Sequence, residues 1–233
     1  MDMTIPRATA AVIAVGAVVV GCGSDTQADR SSKASGKAES ATVQKLAADP
    51  GIRYTKVVVP AMEGLVCDEG DGGFRFGSDL DMGVYGDDGL KEIDGGSDVA
   101  GEVSCFGSPR IILRKGTLSV SAPTFTARTT LYEKVAAPTA SLDKIFNHSM
   151  QLSEGYGRNL IGKPQAVTSR TLATKCQKNV TDTFPMTTCF WANYGAVGTL
   201  DFFPPDGQYV PIESAAALTK GFVTGALRSV DGS

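Results

Sequence analysis

Ser141 and Lys144 stand three residues apart in Ser141-Leu142-Asp143-Lys144. In a helix, that spacing puts the amine one turn from the hydroxyl, where it can act as the base for a serine nucleophile. The Ser-x-Asn and Lys-Thr-Gly partners that complete such a site are missing where they should stand. A Ser-x-x-Lys pattern also arises easily at a helix start. A Ser-His-Asp triad would have to use His148, the single histidine. His148 lies away from the apolar face of its helix, so it reads as a surface residue. Hydrolase chemistry through Ser141, Lys144 and His148 therefore ranks last among the functional readings.

Carboxylates form the second candidate set. Asp68 to Glu102 holds eleven acids against Arg75 and Lys91. Asp79-Leu80-Asp81-Met82-Gly83 opens like an EF-hand loop, in which alternate side chains supply oxygen ligands to calcium. The pattern then fails, because Gly83 replaces the third ligand, Val84 the glycine and Leu90 the glutamate. Asp79, Asp81, Asp87 and Asp88, with Asp68 and Asp71, remain as a calcium cage of another kind. Solvated acidic loops are the default for such a run, and its Asp-Gly steps are turn signals. No GxSxG, HExxH, Walker or GxGxxG pattern is present, so no cofactor is expected.

The five cysteines are Cys22, Cys67, Cys105, Cys176 and Cys189. One histidine and no Cys-x-x-Cys spacing argue against zinc. If Cys22 is set aside, four cysteines permit three pairings. Cys67–Cys105 and Cys176–Cys189 are preferred because each stays within one region of the chain. Loop closure makes them worth about 4 and about 3 kcal/mol. The second would join a strand around Cys176 to the first strand of a terminal hairpin. Such bonds need an oxidising compartment, and the N-terminus points to one.

Arg7 precedes an apolar run from Ala8 to Val20. Thirteen residues are too few to span a hydrocarbon core, which takes about 20, and fit a secretory h-region instead. The run ends in Val19-Val20-Gly21-Cys22, which resembles the bacterial lipobox. That resemblance implies cleavage before Cys22 and its acylation, with membrane lipid as the first partner. Two or three acyl chains suffice for stable anchoring. Residues 1–21 are then a signal peptide and 22–50 the lipidated cysteine with its tether. The tether is rich in Ser, Ala, Asp and Lys, too polar to order itself, and has an r.m.s. reach of roughly 30 Å. Val43 to Ala47 is its one place for a turn of helix. The expected location is the extracytoplasmic face of the cell membrane.

Residues 51–233 make up the folded domain, with 51–135 and 136–233 as its two regions. The chain has 233 residues, 42% hydrophobic and 20% charged, which excludes wholesale disorder. Its net charge is −3, with no Arg/Lys block, which argues against nucleic acid as a partner. Charge is uneven, because residues from Val103 onward carry 13 basic and 8 acidic side chains. Strand signals fall on Arg53–Val59, Arg110–Arg114, Thr117–Ala122 and Phe125–Val135. Thr187–Tyr194 and Val197–Phe203 flank Gly195-Ala196 as a hairpin. Pro204-Pro205-Asp206-Gly207 is a turn by composition. Ala140–Leu152 is expected as a helix, with Leu142, Ile145, Phe146 and Met150 on one face and Thr139 or Ser141 as N-cap. A second helix is expected over Ile212–Val230, starting after Pro211. Small residues at Gly221 and Gly225 would let it approach a sheet closely. Together these elements give an α+β fold: a mainly antiparallel sheet, a C-terminal helix, one further helix and two disulfides.

The C-terminal part carries a second resemblance. Lys175-Cys176-Gln177, then Thr187-Thr188-Cys189-Phe190-Trp191-Ala192-Asn193-Tyr194-Gly195-Ala196-Val197-Gly198, then an Ala-rich helix, resemble a group of uncharacterised secreted and lipid-anchored actinobacterial proteins. Their pattern is Cys, a gap, Cys-x-Trp-Ala-Asp, a strand and a C-terminal helix. This chain has Asn193 where Asp is usual. The resemblance covers about Gly162 to Val230 and implies location and architecture, with no activity attached. Cys189, Trp191 and Asn193 should share one strand face, opposite Phe190, Ala192 and Tyr194. A Trp beside a disulfide reads as core packing. The functional expectation is a non-catalytic, lipid-anchored module that binds an envelope protein or a small molecule. The alternatives are a solute- or calcium-binding lipoprotein and an envelope hydrolase.

Overall fold

The computed structural model describes residues 44–72, 89–93, 100–181 and 184–229. In chain order its strands are β1 (Tyr54–Val57), β2 (Leu65–Glu69), β3 (Ala100–Gly107), β4 (Ile111–Lys115), β5 (Leu118–Ala122) and β6 (Phe125–Leu131). Helix α1 (Pro138–Gly155) follows, then β7 (Arg158–Ala166), β8 (Ala173–Thr181), β9 (Phe184–Ala192) and β10 (Ala196–Phe202). A 3-10 turn over Pro205–Gly207 leads into helix α2 (Ile212–Ala226), and β11 (Leu227–Ser229) comes last.

Seven strands form one antiparallel sheet in the order β2-β3-β6-β10-β9-β8-β7. The β6–β10 pairing joins the regions 51–135 and 136–233 in a single sheet. The β4–β5 hairpin and the β1–β11 pair are separate two-stranded sheets. The class is α+β, with a largely antiparallel sheet, a C-terminal helix and disulfides Cys67–Cys105 and Cys176–Cys189. Each disulfide joins directly opposed residues of neighbouring strands, β2 with β3 and β8 with β9.

Helices cover both faces of the sheet. Along β9, Cys189 and Trp191 point into a core closed by Ile212, Ala215, Phe222 and Val223 of α2. Phe190 and Ala192 point the other way, onto Leu142, Ile145, Phe146 and Met150 of α1. The expected alternation is therefore the one observed, and double coverage explains why β10 is buried along its whole length. Farther down the α1 face, Phe184 and Met186 pack under Leu113 and Ala122 of the hairpin. Gly198 admits the Trp191 ring, since a Cβ there would lie 2.7 Å from Cζ2 and 2.3 Å from the Arg128 carbonyl oxygen.

Several boundaries differ from expectation. Helix α1 starts at Pro138, with Ala137 at the cap and no side-chain capping bond, so neither Thr139 nor Ser141 caps it. Proline's fixed φ and missing N–H suit the first helical position. Helix α2 stops at Ala226, because Leu227–Ser229 pairs with β1 instead of extending the helix. Of its two glycines, Gly225 is the one in close contact: a Cβ there would lie 2.8 Å from Pro60 Cβ. Residues 44–50 form no helix and are laid onto the domain. The Ala47 N–H donates to the Arg170 carbonyl at 2.8 Å, and the Tyr194 hydroxyl donates to the Ala47 carbonyl at 2.8 Å. The order of the domain thus begins before residue 51. No described helix is long and apolar enough to cross a membrane.

Candidate functional site

Cys22 and the calcium candidates Asp79, Asp81, Asp87 and Asp88 lie outside the described residues. Of the wider acidic set, Asp68 is exposed on β2. Asp71 lines a gap of about 10 Å³ with Glu102, Arg128 and Asp201, room for about one water. Among the described residues, no group of three His, Cys, Asp or Glu side chains is placed to hold a metal. Cys67, Cys105, Cys176 and Cys189 are all in disulfides.

On α1, Ser141 is buried toward the sheet, whereas Lys144 and His148 are on the exposed side. Hydroxyl and amine are thus one helical turn apart, as the spacing expects, with the serine buried and the lysine exposed. Neither they nor His148 line the two cavities described below.

Between the footprints of α1 and the β4–β5 hairpin, the sheet carries a polar strip that sequence reading missed. Arg158 Nη1, on β7, reaches Thr188 Oγ1 at 3.0 Å on β9 and Asp201 Oδ1 at 3.1 Å on β10. The Thr188 hydroxyl donates to Asp201 in a very short bond and accepts from Asn179 Nδ2 of β8 at 3.0 Å. The network ties four adjacent strands through a fully buried guanidinium. Such a buried ion pair ties the register of the strands it crosses. One signal for it stood in the sequence. Thr188 and Asp201 interrupt the mainly apolar strands β9 and β10, whereas Asn179 lies in β8, which is largely polar and gives no such signal.

The second feature is a strap, residues 44–53, crossing the turn between β9 and β10. Asn193 builds that turn, its Oδ1 accepting the N–H groups of Gly195 at 3.0 Å and Ala196 at 2.8 Å. Its Nδ2 donates to the Tyr54 hydroxyl at 3.3 Å. The strap is pinned at Ala47 and clipped by Arg53, which holds Asp49 through bonds of 3.1 and 2.7 Å. Those bonds, with the Gly51 N–H, hold the Asp49 carboxyl at about 2.

Beneath the strap is a cavity of about 170 Å³ walled by Ala47, Ala48, Pro50 and Ile52, with Tyr54, Arg170, Thr171 and Asn193 contributing polar groups. Burial pushes the Tyr54 phenol up, so it stays protonated at neutral pH. Since its oxygen accepts from Asn193, its own O–H is left to donate. Arg170 is exposed at the same rim. On the other side of Tyr194 a wider groove of about 500 Å³ runs past Leu46 to Pro138, at the start of α1. An apolar chamber with one phenolic donor and one cation suits a small apolar molecule that ends in an acceptor oxygen. Compared with protein-family models, with curated proteins and with solved structures, the chain matches none.

Proposed function

We propose that the protein is a non-catalytic, lipid-anchored binding module on the extracytoplasmic face of the membrane, and that it takes a small apolar carboxylate or carbonyl compound. The cavity beneath the strap carries the reading. Its 170 Å³ is close to the roughly 150 Å³ that holds a benzene-sized guest. Tyr54 and Arg170 supply the donors that an acid headgroup needs. The lipobox-like end at Cys22 supports the anchored location, and two disulfides suit an oxidising compartment.

Benzoate is a suitable probe, with toluene as the uncharged comparator. Benzoate should raise the unfolding temperature saturably, and toluene should do so less. Tyr54→Phe should weaken benzoate binding about fivefold, the worth of one hydrogen bond. Absence of any saturable shift, or equal binding by Tyr54→Phe and Arg170→Ala, would overturn the ligand assignment. Radiolabelled palmitate incorporation, lost in Cys22→Ala, tests the anchor separately.

A further inference from the structure

The inner side of the β4–β5 hairpin is only partly covered. Cross-strand register puts Ile111 with Ala122, Leu113 with Val120, and Lys115 with Leu118, so these pairs share one side. Close to the sheet, Leu113 and Ala122 are buried against Met186 and Phe203. Toward the tip the same apolar stripe runs out into solvent: Val120 is 46% exposed and Leu118 is 75% exposed. Ile112, on the other side, is 50% exposed. Serines 119 and 121 alternate with the aliphatics of β5. The finger therefore continues a core outward with nothing among the described residues to cover it, the pattern of an interaction surface.

Its charge names the partner. Residues 103–132 contain Arg110, Arg114, Lys115 and Arg128 and no acid. Arg128 is engaged on the sheet with Glu102 at 2.8 Å. Arg110, Arg114 and Lys115 are exposed on the finger, and the Arg110 guanidinium stacks 4.1 Å over Phe106. Exposed aliphatics ringed by cations match the boundary between acyl chains and anionic headgroups. We infer that the β4–β5 hairpin docks on an anionic lipid bilayer, with Leu118 and Val120 entering the headgroup boundary and Arg110 and Arg114 meeting lipid phosphates.

The position of the hairpin fits a second point of attachment. The strap joins the domain beside Tyr194, at one end of β9 and β10, while the hairpin packs on Phe184 and Phe203 at the other end. The nine residues of β9 separate those ends by about 27 Å. The bilayer comes from the anchoring reading, but docking by the hairpin can be measured without it.

The test uses the full chain carrying Cys22→Ser, so that no acyl chain contributes. Vesicles of phosphatidylcholine mixed with phosphatidylglycerol are compared in flotation with vesicles of phosphatidylcholine alone. We expect binding to the anionic vesicles, weakened by salt. Arg110→Ser and Arg114→Ser should each lower it about fivefold. Leu118→Ser should lower it with the charge unchanged, and all three positions are exposed, so folding should survive. Equal binding to both vesicle types, no binding, or wild-type binding by all three variants would overturn the proposal. So would a dimer in solution that Leu118→Ser dissolves, which would assign the finger to a second copy of the chain. Loss of palmitate labelling with retained vesicle binding would separate failure of the anchor from failure of the docking surface.

Discussion

Arg158 is 1% exposed and lies on an edge strand, where a cation gains nothing from burial unless its counter-charge is fixed. Asp201 supplies that charge at 3.1 Å, and Thr188 binds both partners. Removing one member of a buried pair strands the other, which costs about 3–5 kcal/mol. Asp201→Ala should therefore lower stability by about that much in urea unfolding. A loss under about 1 kcal/mol would mean that water reaches Arg158 and replaces the carboxylate. Asn193 makes the complementary point for function. One side chain closes the β9–β10 turn with its oxygen and orients the Tyr54 hydroxyl with its nitrogen.

The strap is the element that closes the cavity beside Tyr54. It has no regular secondary structure and is held by the Ala47 bonds and the Asp49–Arg53 clip. The Asp49 carboxyl is held at about 2, down from its usual 3.8, chiefly by the Arg53 guanidinium and then by the Gly51 N–H. A lowered carboxylate pKa stabilises the folded form above the usual value, and that help is lost as pH falls through the folded one. The clip should thus be intact at pH 5 and above, weaken as the pH drops below about 4, and be gone near pH 2. The protection factor of the Ala47 amide, taken against the intrinsic rate at each pH, should fall over that interval while β9 and β10 stay protected. Asp49→Asn should show the lowered protection already at neutral pH. Unchanged exchange at Ala47 in that variant would show that the Tyr194 and Arg170 bonds hold the strap unaided.

For the whole molecule, the two disulfides staple the sheet in differently accessible places. Cys67 is half-buried on edge strand β2, whereas Cys176 and Cys189 are fully buried beside Trp191. A mild reductant should open Cys67–Cys105 first, and Cys176–Cys189 only on global unfolding. The first bond spans 38 residues and the second 13, so loss of the first should cost about 4 kcal/mol and loss of the second about 3. Mass spectrometry of alkylated peptides gives the order, and urea unfolding of each reduced species gives the cost. Opening in the reverse order would mean that the α2 face breathes more easily than the sheet edge.

Local chemistry sufficed for the presence of both helices, for the β9–β10 hairpin and for the cysteine partners. An apolar stripe at helical spacing, such as Leu142, Ile145, Phe146 and Met150, or an aliphatic alternation such as β5, reports its own structure. Strands β2, β3 and β7 were not legible in that way. β3 carries Gly101, Glu102 and Gly107, and β7 carries Gly162 and Pro164 with a register break. These are poor strand formers held in place by neighbours on the sheet. The stop of α2 at Ala226 was equally hidden, because it depends on β1, a strand almost the whole domain away in sequence. The candidate site was hidden for the same reason. Its walls come from residues 47–54, 170–171 and 193–194, three segments with no shared motif. Only the folding of the strap across the β9–β10 turn encloses a cavity between them, and long-range closure of that kind leaves no periodicity in the chain.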